Sequence, residues 1–260
     1  MSSIARWIRF EHLGQAGFGT LDQAAVAVHD GDMFSDARPT GQVLPLEGLK
    51  LLAPVQPSKM LGLWNNYMAL AAKLNLADPA EPLYFLKATS SVLAPGGRIV
   101  APPGQGKIVF EGELAVVIGR RAKAVSEARA LEHVFGYTCV NDVTAAEVLN
   151  RDASFAQWVR AKSYDSFCPL GPCIATGLDP ATLSVKTWLD GQLRQDNPVA
   201  DIRFYVPRLV SLISHDMTLE PGDLILCGTS VGVGSMKPGQ TVEVEIEGIG
   251  RLTNRFETAD

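Results

Sequence analysis

Cysteine is sparse, and its spacing serves neither metal nor disulfide. The four residues, Cys139, Cys168, Cys173 and Cys227, form no Cys-x-x-Cys pair. Neither a zinc site nor a disulfide framework is supported, and a reducing cytoplasm is the expected setting. Basic clusters are also missing: the net charge is −5 over 260 residues, so nucleic acid is not an expected partner. No apolar run approaches the ~18 residues a membrane helix needs, and Met-Ser-Ser-Ile-Ala-Arg-Trp at the start lacks the apolar stretch of a signal peptide. No Ser-His-Asp or Cys-His arrangement has local support, and Ser163 and Cys168 lie in no nucleophile motif. What remains is an ordinary globular composition, 47% hydrophobic and 20% charged, enough for one large domain or a large and a small one.

The most informative stretch is Ile-Val-Phe-Glu-Gly-Glu-Leu-Ala-Val-Val-Ile, residues 108–118. Leu114 to Ile118 is short, β-branched and closed by Gly119, which predicts a strand buried on both faces. Glu111 and Glu113 enter it two residues apart, so both project from one face, roughly 6–7 Å apart at the backbone. Gly112 between them places no side chain on the other face. Two carboxylates leaving a buried strand together need a proton, a Lys or Arg, or a cation. The alternative is a strand end already in water, where they cost nothing.

The rest of the chain reads as β-rich α+β, with a small N-terminal domain over 1–50 and a main domain over 51–260. Arg6–Phe10 and Ala24–His29 look like strands, and His12 and His29 read as packing or surface residues. Lys59–Trp64 and Leu83–Lys87 are apolar strands flanking a short helix within Met68–Leu76. Lys87 ends its strand either solvated or facing a site. Ser126 is a candidate N-cap for a helix through Phe135, and Tyr137–Val140 is a strand stopping at Asn141-Asp142. Thr144-Ala-Ala-Glu147 matches a capping box, so a helix is expected directly after Asp142, whose carboxylate either joins a site or is satisfied by the helix amides. Residues 157–172 are expected to be extended. Asp190-Gly191 is a hairpin turn, and Pro207 opens a helix over Val206–Ile213. Gly228-Thr-Ser-Val-Gly-Val-Gly234 is glycine-rich but lacks the Gly-Lys-Ser/Thr of a P-loop. The alternation of Thr241–Ile246 makes Glu243, Glu245 and Glu247 a solvated sheet face.

Three carboxylates therefore stand out: Glu111, Glu113 and Asp142. An all-oxygen donor set favours Mg²⁺ or Mn²⁺ over zinc, and Lys162 could add positive charge where an oxyanion develops. Several motifs carry a resemblance: Phe110–Gly119, Gly136–Ala145, Ala161–Pro172, Thr218–Asp223 and Gly228–Gly234 resemble, in order, signatures of the fumarylacetoacetate hydrolase family. The similarity covers about residues 55–257. It implies a rolled mixed β-sheet domain behind a small N-terminal domain, and a homodimer. It implies Mg²⁺ or Mn²⁺ on Glu111, Glu113 and Asp142, with Lys162 and Glu111 catalytic. Lys87, Thr229, Gly228 and Tyr67 would touch a small carboxylate substrate.

Such enzymes act on 2-oxo or enol carboxylates through a metal-held enolate. Hydrolytic C–C cleavage is the first expectation, isomerisation or decarboxylation the next, and a non-catalytic metal- or ligand-binding relative the opposing class. The chain departs from the pattern in places that bear on this choice. The lid stretch Asn66–Lys73 has neither the His nor the Glu that activates water in hydrolases. Ala146 and Leu149 stand where an arginine and a glutamine are often found, with Arg151 as a candidate stand-in.

Overall fold

The strand Gly112–Ile118 lies inside a twelve-stranded mixed sheet, with all seven residues buried. The computed structural model describes residues 4–259 and is mostly β. Gly112–Ile118 pairs antiparallel with Val134–Asn141 on one side and Leu224–Leu226 on the other. Beyond Leu224–Leu226 come Met60–Trp64, in parallel, and then Leu83–Lys87. Beyond Val134–Asn141 come Cys168–Thr176 and the N-terminal strands from Ala5–His12 to Arg38–Pro45. The N-terminal unit continues the same sheet, with Ala5 opposite Thr176 and Trp7 opposite Ile174. Near-continuous apolar runs such as Met60–Trp64 suit strands covered on both faces.

A five-stranded sheet, Gln192–Pro198, Ser184–Leu189, Thr241–Ile246, Gly250–Thr258 and Arg98–Ala101, packs against the large one. Its inward residues Val185, Val244, Ile246 and Leu252 join Leu114, Val116 and Cys139 in one core. Each fully buried Val, Leu or Ile contributes about 1.5–3 kcal/mol, and this packing holds the carboxylates in place against the cost of burying them. At Gly112 the two sheets approach closely. A Cβ there would lie 2.0 Å from Thr187 Oγ1, so a side chain would separate the layers. On the outer face Glu243 and Glu245 pair with Arg251, and Glu247 is exposed, as the alternation implies. Asp190 and Gly191 both take positive φ, 49° and 74°, as a tight hairpin requires.

Three local expectations change. Residues Glu127–His133 form a 3₁₀ helix, and the Ser126 side chain makes no cap. No capping box forms after Asp142: Thr144–Ala145 is a two-residue strand paired with Ile108–Phe110, and only Ala146–Leu149 is helical. The Thr144 hydroxyl is drawn to Glu111 instead. Within 157–172, Trp158–Lys162 is a short helix. Its Trp158 ring stacks on Phe85 at 5.4 Å and meets Trp64 at 5.2 Å, so tertiary aromatic contact fixes a turn that periodicity does not reveal.

Candidate metal centre

Glu111 occupies the step between two sheets. Ile108–Phe110 belongs to a three-stranded sheet and Gly112–Ile118 to the large one. Its amide donates to Asn141 Oδ1 at 2.9 Å, and its carbonyl accepts from the Asp142 amide at 2.8 Å. These bonds dock the end of Val134–Asn141 beside the glutamates. Oxygens of Glu111, Glu113 and Asp142 all lie within 4.8 Å of one another, so the spacing of two and the strand-to-helix hinge do converge.

Each carboxylate is oriented by a fixed partner. Glu113 Oε2 accepts from the Gly228 amide at 2.8 Å, and Glu111 Oε1 lies 2.9 Å from Thr144 Oγ1. Lys162 Nζ donates to Glu111 Oε2 at 2.8 Å and to Asp142 Oδ2 at 2.6 Å. Two of its three hydrogens are thereby committed, and the third has no partner among the described residues. Lys87 Nζ donates to Asp142 Oδ1 at 2.6 Å, to the Phe167 carbonyl at 3.1 Å and to the Lys162 carbonyl. All three of its hydrogens are used, and its side chain is fully buried. Lys87, expected among the substrate contacts, is in this structure a brace for Asp142 and the Lys162 backbone.

Charge in the cluster is unbalanced. Three carboxylates face two ammonium groups, which leaves one uncompensated negative charge if all five ionise. Burial pushes the Glu113 carboxyl well above the usual carboxylate range, and the Asp142 charge pushes it further. Burial also raises Glu111, against the opposing pull of Lys162. At Asp142 burial is outweighed by Lys162 and Lys87, which hold it below the usual range. Burial disfavours the Lys162 ammonium, yet Asp142, Glu111 and Glu113 together hold its pKa above the normal lysine value. Lys162 Nζ also sits 5.1 Å from the Phe85 ring centroid.

The residues fit a hard divalent cation. The carboxylate oxygens lie within 4.8 Å of one another, near enough for all three to reach one ion with small side-chain rotations. The donors are all oxygen, Glu113 and Asp142 buried and Glu111 half-buried, and the uncompensated charge is of the right sign. Glu111, Glu113 and Asp142 would hold the ion.

At Glu111 the centre opens into a cleft of about 430 Å³, lined also by Thr229, Trp64, Leu70 and Leu74. The helix Met68–Leu74 forms the apolar wall and ends at Asn75, whose φ is 53°. Buried Asn66 anchors its base, donating to the Cys227 carbonyl at 2.8 Å and accepting from the Phe204 amide at 2.9 Å. Thr229 Oγ1 donates to the Gly112 carbonyl at 3.0 Å and accepts from Gln195 Nε2 at 2.9 Å. Gly228 turns at φ 89° with its amide on Glu113. Tyr67 is buried, its ring in the main core and its hydroxyl without a hydrogen-bond partner among the described residues. Arg151 reaches Gln105 Oε1 at 3.3 Å and is not among the residues lining the cleft.

Three supporting residues are not expected at the site from the sequence. Gln195 is buried, accepts from the Gly112 amide at 3.0 Å and donates to Thr229. It ties the strand between the two glutamates to the glycine loop. Thr144 reads as a cap, and Phe85 as an anonymous strand residue. A buried glutamine in an alternating strand is the one available signal for Gln195.

Fold and site together define a β-rich protein with a buried, lysine-braced carboxylate cluster suited to a hard cation. A family model described as fumarylacetoacetate (FAA) hydrolase C-terminal matches residues 59–257, and one described as Rv2993c-like, N-terminal, matches residues 5–54. The chain belongs to the fumarylacetoacetate hydrolase family. It is similar to the solved structure of 2-hydroxyhepta-2,4-diene-1,7-dioate isomerase from Mycobacterium marinum, with TM-score 0.90, 38% identity and 98% of both chains covered. The 4-hydroxyphenylacetate degradation bifunctional isomerase/decarboxylase of Salmonella dublin is 40% identical over 74% of this chain and 45% of its own. The mitochondrial oxaloacetate tautomerase FAHD2B of Bos taurus is 36% identical over 82% of this chain and 71% of its own. No helix among the described residues is long and apolar enough to cross a membrane.

Proposed function

We propose that this chain is an Mg²⁺- or Mn²⁺-dependent enzyme that shifts a proton on, or decarboxylates, a 2-oxo or enolisable carboxylic acid. The observation that carries this reading is the Glu111–Glu113–Asp142 cluster braced by Lys162 and Lys87 at the foot of an apolar-walled cleft. When bound, the cation polarises a 2-oxo group and stabilises negative charge developing on its oxygen. In this reading the Lys162 ammonium, bonded to Glu111 and Asp142, adds positive charge beside that oxygen. Glu111 is the one carboxylate of the three that lines the cleft, and in this reading it carries the proton to or from the substrate carbon. The amides of the glycine loop beyond Gly228 take the substrate carboxylate, with Thr229 beside them. Gly228 and Thr229 themselves begin from bonds to Glu113 and Gly112.

Hydrolytic C–C cleavage, the first expectation from sequence, needs a base to activate water. Among the described residues none of the four histidines lines the cleft. His29, His133 and His215 each place Nδ1 against a backbone carbonyl, of Ala27, Arg121 and Ser211, and His12 lies on the strand Ala5–His12. The lid wall offers only apolar side chains and Lys73. Proton transfer and decarboxylation need no activated water, and similarity to an isomerase, a bifunctional isomerase/decarboxylase and a tautomerase supports that order. The test is deuterium exchange at C3 of oxaloacetate and of acylpyruvates in the presence of Mg²⁺, followed by NMR with product analysis. Metal-dependent exchange or loss of CO₂ supports the reading. Cleavage into two acids supports the hydrolase, and inertness across the panel supports a binding protein. A homodimer is part of this reading, and light scattering checks it.

A further inference from the structure

We propose that Trp64 is a specificity-determining residue that packs against an apolar chain at the end of the substrate remote from the carboxylate cluster. The preferred substrates are then 2-oxo acids with an apolar side chain. The inference rests on the reading that the cleft takes a 2-oxo acid, and it adds the chemistry of the rest of that molecule.

Five apolar side chains line the cleft that opens at Glu111: Trp64, Leu70, Leu74, Val231 and Val233. They come from three separate places, the end of the strand Met60–Trp64, the helix Met68–Leu74 and the glycine loop. Leu70 and Leu74 are four residues apart, so they share one face of that helix. None of the five is buried, and Leu74 and Val233 are 47% and 39% exposed. Apolar surface left in water inside a concave site gains free energy when a ligand covers it. Polar groups are placed differently. Thr229 is bonded to the carbonyl of Gly112, the residue after Glu111, so the polar chemistry is concentrated at the metal strand. The cleft's two cations, Lys73 and Arg194, are both exposed. Their charges stay hydrated and screened, so neither needs an anion.

Trp64 is also held in place. Its ring centroid lies 5.2 Å from that of Trp158, Trp158 stacks on Phe85 at 5.4 Å and 18°, and Phe85 lies 5.1 Å from Lys162 Nζ. A run of aromatic contacts thus ties the cleft wall to the lysine that braces Glu111 and Asp142. The neighbouring helix is fixed at both ends. The Ala69 amide donates to Asp201 Oδ2 at 3.0 Å, and Asn65 Nδ2 donates to the Ala77 carbonyl at 2.9 Å. A surface that is already ordered loses little conformational entropy on binding, so covering it converts into affinity.

Calorimetry on the Mn²⁺-loaded full chain measures affinity for 2-oxobutanoate, 2-oxopentanoate and 2-oxohexanoate. It also measures 2-oxoadipate, which has the carbon count of 2-oxohexanoate but ends in a carboxylate. Wild-type affinity should rise about two- to fourfold per added methylene, and 2-oxoadipate should bind more weakly than 2-oxohexanoate. Trp64→Ala and Leu74→Ala should each flatten that rise, with losses that grow with chain length, and leave Mn²⁺ affinity unchanged. Trp64→Phe should keep most of the rise, because an aromatic ring is retained. Leu74 is exposed, so its variant decides the outcome if Trp64→Ala fails to fold. A flat wild-type series, tighter binding of 2-oxoadipate, or a folded Trp64→Ala or Leu74→Ala that keeps the wild-type slope would overturn the inference and leave the 2-oxo acid reading standing. Failure of all four acids to bind the Mn²⁺-loaded chain would overturn both.

Discussion

Lys87→Met tests whether the cluster is built as described. Lys87 and Asp142 side chains are 0% and 1% exposed and 2.6 Å apart. Methionine keeps the length and apolar volume of the chain but removes three donors. Asp142 is left with one lysine, and the carbonyls of Lys162 and Phe167 lose their side-chain partner. Breaking a buried ion pair by deleting one member costs about 3–5 kcal/mol, since the orphaned charge stays in low dielectric. In a chain of this size that corresponds to a fall in melting temperature of about 6–20 °C. The assay is urea unfolding followed by tryptophan fluorescence in EDTA, with Lys186→Met as the control. Lys186 is exposed on Ser184–Leu189, so its loss should change stability by less than about 0.5 kcal/mol. A Lys87→Met effect as small as that control would refute the brace.

Three further outcomes follow from the same geometry. Gly112→Ala places a Cβ 2.0 Å from the hydroxyl of fully buried Thr187. It should destabilise by about 1–3 kcal/mol and weaken Mn²⁺ binding, both measurable by thermal shift with and without the metal. Burial raises the Glu113 and Glu111 carboxyls in the metal-free chain, so protons compete with a cation for both. Metal affinity should therefore fall as pH falls, and calorimetry in buffers of different ionisation enthalpy should show proton release on binding. All four cysteines are buried, and burial pushes the Cys168 and Cys173 thiols up to about 12. They should stay unreactive toward Ellman's reagent at pH 8 and titrate as four thiols only in denaturant.

Where the sequence is legible, a single local rule decides the outcome. The strand around Leu114–Ile118, the hairpin at Asp190-Gly191 and the alternating face of Thr241–Ile246 follow from periodicity and turn chemistry alone. Glu111 and Glu113 read as a pair because a period of two puts them on one face. Asp142 joins them through a turn whose geometry depends on the Asn141–Glu111 bond, and only the hinge between elements hints at that. Thr144 misleads because a hydroxyl before an apolar run has two uses, capping amides or bonding a carboxylate, and the nearby Glu111 decides it. The role of Gln195 is hidden for a related reason, and so is the bracing role of Lys87, although its place at the end of an apolar strand marks it out. Their roles come from partners 83 and 55 residues away in sequence, and no spacing rule reaches that far. Trp158–Lys162 is helical because two distant rings, Trp64 and Phe85, receive Trp158.

The central claim is that Glu111, Glu113 and Asp142 hold a hard cation on which turnover depends. Glu113→Gln tests it most directly, because this side chain is buried and bonded to the Gly228 amide, a contact an amide oxygen can keep. Mn²⁺ binding is followed by calorimetry, and C3 deuterium exchange of oxaloacetate is measured on the same samples. Wild type should bind one Mn²⁺ per chain and exchange only when it is bound, and Glu113→Gln should stay folded while losing both. Exchange that persists in Glu113→Gln, or unaltered Mn²⁺ affinity in that variant, would contradict that claim.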